Sequence, residues 1–150
     1  MAMIRPRVID HGLMDAEHRT MSQWVQTAAD HIQDGHDMAQ TLYALDVLRS
    51  LAVSHFEHES REMQASGYPK RLTHAQDHED MLGHLSLIRQ AVSERDSQDG
   101  GGQRTAIAAR LLRWFHAHIG AHDRHFASWL QQRTAASPVA DPPGHGGRNS

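Results

Sequence analysis

Apolar residues recur at alternating spacings of three and four along four stretches of the chain, which predicts four amphipathic helices. The stripes read Met14, Met21, Val25, Ala28, Ile32; then Leu45, Leu48, Ala52, Met63; then Met81, Leu85, Ile88, Val92; then Ile107, Leu111, Trp114. The first helix runs from about Leu13 to Asp34 and stops at Gly35. The second has Asp37 as N-cap, runs to Ser66 and ends at Gly67-Tyr68-Pro69. The third spans about Lys70 to Arg95 and is closed by the glycine-rich loop at 97–103, and the fourth spans about Arg104 to Arg133. No alternating stretch argues for strands. Four such helices with short connections predict an all-α fold, an antiparallel up-down-up-down four-helix bundle over residues 10–133. An N-terminal arm precedes it, and the Pro/Gly-rich tail at 134–150 is expected to be disordered.

The stripes are interrupted by polar residues that lie on the same helical faces: His18 on the first, His55 and Glu59 on the second, His74 and His78 on the third, His118 on the fourth. Burying even a neutral polar group without a partner costs roughly 2–7 kcal/mol. One buried histidine is usually a satisfied core residue; six such groups on one set of seams need a common purpose. Counted from the turns, the groups on adjacent helices fall at nearly one level. The mismatches are about three to five residues, or about 5–8 Å at 1.5 Å per residue. Two of the pairs, His55/Glu59 and His74/His78, are spaced i,i+4 and so share a face. Asp123 follows His118 at i+5, about 140° away on an ideal helix, and heads its own stripe of Ile119, Asp123, Phe126, Leu130. A local widened turn, or a metal cluster flanked from two sides, would explain the slip.

Composition narrows the chemistry. The 150 residues contain no Cys and 14 His, with a formal net charge of -3. Disulfides, thiolate metal sites and cysteine nucleophiles are excluded, and no nucleic-acid partner is expected of so mildly acidic a chain. No run of 18 apolar residues occurs and the N-terminus lacks the apolar stretch of a signal peptide, so no membrane partner and a cytoplasmic location are expected. Imidazoles and carboxylates without sulfur suit Fe, Mn or Zn. Seven side chains exceed what one tetrahedral zinc requires and are about right for two ions sharing bridging carboxylates. A ferritin-like site would need four carboxylates and two Glu-x-x-His motifs, and no Glu-x-x-His occurs; the nearest match is Asp15-x-x-His18.

The segments MDAEH ending in His18, HFEHE with His55 and Glu59, the GYP turn, HAQDH with His74 and His78, and HIGAHD with His118 and Asp123 resemble the hemerythrin family of non-haem di-iron bundles. The likeness covers roughly residues 10–131. Each motif alone is common; their order on four helices is specific. The resemblance implies two Fe ions with an oxo or hydroxo bridge. His74, His78 and His118 would hold one iron, His18 and His55 the other, and Glu59 and Asp123 would bridge the pair. It further implies reversible O2 binding at a vacant position on the two-histidine iron, for storage, delivery or sensing, in a dry pocket lined by Phe56, Trp114 and Ile119. The alternative is a di-iron oxidase, peroxidase or nitric-oxide-handling enzyme on the same scaffold. Neutral imidazoles donate less charge than carboxylates and so favour oxygen binding over high-valent iron chemistry. A purely structural bundle with incidental histidines is the third reading. Ser60 and Glu62 depart from the family pattern and are expected to face outward. Of the other histidines, His31, His36, His58, His116 and His125 are expected to be solvated, His84 to flank its stripe, and His122 to lie outside the ligand set.

Overall fold

The computed structural model describes residues 11–35, 37–94, 102–118 and 123–136. These form α1 (His11–Asp34), α2 (Met38–Ser66), α3 (Arg71–Glu94), α4 (Gly102–Ala117) and α5 (Arg124–Ala136). The expected N-terminal arm and residues 137–150 of the expected C-terminal tail, with His145, lie outside the described residues, as do His36, Ile119 and His122; residues 134–136, expected in the disordered tail, instead continue α5. The expected fourth helix is described in two stretches, α4 and α5, on either side of residues 119–122. His118 and Asp123, which flank those residues, adopt the wide π-helical conformation, in keeping with the widened turn that was one explanation of the i+5 spacing.

α1 packs on α2 and α4, and α3 packs on α2 and α4, so α1 to α4 close into the ring of a four-helix bundle. The turns between α1, α2 and α3 are set by local chemistry. Asp37 caps α2 by accepting a hydrogen bond from the Ala39 backbone N–H, at 3.0 Å. At the other end Gly67 adopts φ 74°, ψ 30°, a left-handed conformation that side chains resist. The Gly67 and Tyr68 N–H groups then donate to the carbonyls of Gln64 and Met63, at 3.3 and 3.0 Å. Met63 and Tyr68 pack together, which completes a Schellman turn with its apolar contact. The turn therefore closes α2 and delivers α3 beside it, about two turns from Glu59 and three from His55.

The apolar interior is in two parts. The larger cluster includes Met21, Val25 and Ile32 of α1, Leu45, Leu48 and Ala52 of α2, Leu85, Ile88 and Val92 of α3, and Ile107, Leu111 and Trp114 of α4. The smaller holds Met63, Tyr68, Phe126 and Leu130, with Trp129 against it. On α2, His55 and Glu59 stand between Ala52 and Met63; on α3, His74 and His78 stand between Tyr68 and Leu85; His118 and Asp123 stand between Trp114 and Phe126. The polar residues thus form a layer across the bundle, capped by apolar packing above and below. No helix among the described residues is long and apolar enough to cross a membrane.

Candidate metal centre

The same stripes that bury the core carry the polar layer inward. His55, Glu59, His74, His78, His118 and Asp123 are all buried, and His18 is partly so, its side chain 21% exposed. All seven sequence-predicted residues meet. Their donor atoms form two groups, each within 4.8 Å internally: Glu59, His74, His78 and His118; and His18, His55, Glu59 and Asp123. Glu59 belongs to both.

The two carboxylates divide their oxygens between the groups. Glu59 Oε1 lies 3.0 Å from His74 Nε2, 2.8 Å from His78 Nε2 and 4.0 Å from His118 Nε2. Glu59 Oε2 faces the other way, 3.9 Å from His55 Nε2. Asp123 Oδ1 lies 2.8 Å from His118 Nε2 and 3.5 Å from His74 Nε2. Its Oδ2 lies 2.7 Å from His18 Nε2 and 3.4 Å from His55 Nε2. All five imidazoles turn Nε2 toward the same small volume.

These distances fit cations between the donors. His18 Nε2 and His55 Nε2 are 3.1 Å apart. Two nitrogens in adjacent positions on an octahedral ion, each bound at about 2.1 Å, stand about 3.0 Å apart. Glu59 Oε2 is buried with no hydrogen-bond partner among the described residues, although a buried carboxylate oxygen ordinarily has one. With protons alone at the centre, the imidazoles must supply the positive charge that the two carboxylates demand. Burial works against a charged His55, but its hydrogen bond to Asp123, the Glu59 charge and its hydrogen bond to Glu17 outweigh this and raise its pKa to about 9. His74 follows the same balance, burial opposed by hydrogen bonds to Asp123 and Glu59, and is also raised to about 9. His78 is lowered, because burial and the neighbouring His74 and His118 prevail over Glu59. Burial pushes Glu59 and Asp123 upward, yet hydrogen bonds from the histidines hold both below the ordinary carboxylate range.

Around this layer the supports differ. Phe56 stacks on His78 at 4.0 Å between ring centroids, nearly parallel, and meets His118 edge-on at 5.1 Å. Trp114 is buried and donates its indole N–H to the Met81 carbonyl at 2.8 Å, tying α4 to α3. Ser60 and Glu62, expected to face outward, are half-buried and belong to neither group. Two residues escaped the sequence reading. Glu17 accepts from His55 Nδ1 at 2.9 Å and from His58 Nδ1 at 2.6 Å. His58, expected to be solvated, is half-buried beside it. The only trace of either in the sequence is adjacency: Glu17 precedes His18, and His58 precedes Glu59. Asp15, the nearest thing to a Glu-x-x-His partner for His18, is exposed.

An all-α bundle crossed by one layer of five imidazoles and two shared carboxylates defines a cation-binding helical protein. The profile of the Hemerythrin HHE cation binding domain matches residues 11–130, and the chain belongs to that family. It is 26% identical over 119 residues to the bacteriohemerythrin of Ralstonia nicotianae, an alignment that covers 79% of this chain and 80% of that protein. No solved structure matches the chain significantly.

Proposed function

We propose that this chain binds O2 reversibly at a pair of iron ions, serving oxygen storage, delivery or sensing. The observation that carries this reading is the division of the carboxylate oxygens, one from each of Glu59 and Asp123 turned to each histidine group. Under it, His74, His78 and His118 hold one iron, His18 and His55 hold the other, and the two carboxylates join them. The group with two histidines rather than three keeps a position for O2. An iron pair held there would supply the two electrons that reversible O2 binding takes and returns. Glu59 and Asp123 would hold the ions together, and the chain keeps the imidazole Nε2 atoms aimed at one small volume. Phe56, Trp114 and Ile119 are the pocket residues of this reading. The apolar clusters on both sides of the layer limit the access of water and protons, which favours release of O2 unchanged.

Iron quantification with optical spectra of the aerobic protein, before and after deoxygenation, tests the proposal. Close to two irons per chain and a charge-transfer band that disappears and returns with O2 are expected. One zinc and no iron would reject it. Turnover of peroxide or nitric oxide with a supplied reductant, above that of metal-free protein, would instead establish the enzyme.

A further inference from the structure

We propose that His58 is a positioning residue for the two-histidine half of the centre, acting through Glu17 on His55. This rests on the two-ion reading above and adds residues to it. His55 must hold Nε2 inward, toward Asp123. A carboxylate only accepts, so the 2.9 Å contact between His55 Nδ1 and Glu17 Oε1 requires the proton on Nδ1. That leaves Nε2 as the atom for a metal and fixes the plane of the ring.

Glu17 is poorly placed to do this unaided. It stands on the flank of α1 with its side chain 18% exposed. It lines a cleft of about 170 Å³ between α1 and α2, with Thr20, Met21, Leu51 and Ser54. A carboxylate open to such a cleft can turn toward water. His58 prevents that turn. It lies at i+3 from His55, on the same side of α2, and its Nδ1–H donates to Glu17 Oε2 at 2.6 Å. Both carboxylate oxygens are then engaged by imidazoles of one helix. The result is a fork that ties α1, which carries His18, to α2, which carries His55. The three-histidine half has a different support, the Phe56 ring laid against His78.

The test uses the full iron-loaded chain, reduced and challenged with excess ferrous chelator while release is followed by absorbance. Wild type is expected to release two irons in two phases. His58→Ala is expected to speed one phase about tenfold, within the range for loss of a partner behind a metal ligand, and to leave the other unchanged. His58→Asn, whose amide N–H takes the place of the imidazole Nδ1–H, restores the slow rate. Glu17→Ala speeds the same phase at least as much, and adding His58→Ala to it changes nothing more. A plain stabilising contact would instead lower the thermal midpoint of the metal-free protein and speed both phases together. That result, or wild-type release from His58→Ala, overturns the inference while wild type still carries two irons. Should His58→Ala fail to fold, His58→Asn against His58→Leu decides, with the slow rate kept only in the first. A wild-type chain that takes up no second iron removes the two-ion reading itself, and the inference with it.

Discussion

The three-histidine half of the centre draws His74 and His78 from adjacent turns of α3 and seals them under the Phe56 ring, with His118 edge-on beside it. The two-histidine half spans α1 and α2, has one ring 21% exposed, and is backed by a carboxylate that opens on a cleft. The donors are of the same kind, and the same two carboxylates turn one oxygen to each group. What differs is the material behind them: apolar ring packing on one side, a hydrogen-bonded fork on the other. Ring packing gives rigidity and exclusion of water; a polar fork gives orientation while leaving the site approachable. Under the proposed O2 binding, a centre that stays assembled yet admits a small molecule would benefit from that inequality.

The strongest way to break the comparison is to remove what the halves share. Glu59→Ala takes away a fully buried carboxylate and should cost both irons. It should also destabilise the metal-free protein by on the order of 3–5 kcal/mol, as loss of one partner from a buried ion-pair network does. Iron per chain and urea unfolding measure the two effects. One iron retained at full occupancy would mean the halves are independent. His55→Ala cuts deeper on one side than the other. Iron should fall from two toward one per chain and the reversible O2 band should vanish, with far-UV circular dichroism unchanged. Reversible O2 binding that survives would move the open position to the other half.

Proton competition sharpens the contrast. In metal-free protein the raised pKa values of His55 and His74, both about 9, mark stability that is fully present below pH 6.5 and lost as pH climbs toward 9. His78, being lowered, acts in the opposite sense, its contribution present above 6.5 and lost as pH falls. The three-histidine half thus responds on both sides of pH 6.5, through His78 below it and His74 above it, whereas His55 responds only above it. The thermal midpoint of metal-free protein should fall by on the order of 5 °C between pH 6.5 and 9. Iron-loaded protein should gain over the same range, because protons no longer compete for the ring nitrogens. Parallel curves for the two forms would show that iron does not replace these protons. The smallest effect is expected from Phe56→Leu, which keeps the apolar volume and removes the ring stack on His78. It should cost about 1 kcal/mol and hasten iron release from the three-histidine half alone; an equal effect on both phases would show that the ring serves the whole centre.

Much of this was legible along the chain. The seam breaks at His18, His55, Glu59, His74, His78 and His118 stand out because a 3.6-residue period puts each of them in line with apolar neighbours. The level they share follows from turns that punctuate the sequence, Gly35 and Gly67 among them. The i+5 step from His118 to Asp123 was visible as a slip of the seam, and both residues adopt the wide helical conformation that was one explanation of it. Glu17 and His58 were not legible. Each sits next to a seam residue and so is directed off the seam, where periodicity makes no distinction between a solvated side chain and a clamp.

The sequence by itself determined the helices, the faces they bury, and the seven polar residues that meet at a common level, because these depend on local spacing and on what water will not tolerate inside. Only the tertiary structure decided which carboxylate oxygen serves which histidine group, and that Glu17 is held between His55 and His58. Those contacts join residues 38, 41 and 105 positions apart. They are set by the rotation and stagger of one packed helix against another, which no periodicity along a single strand of chain encodes.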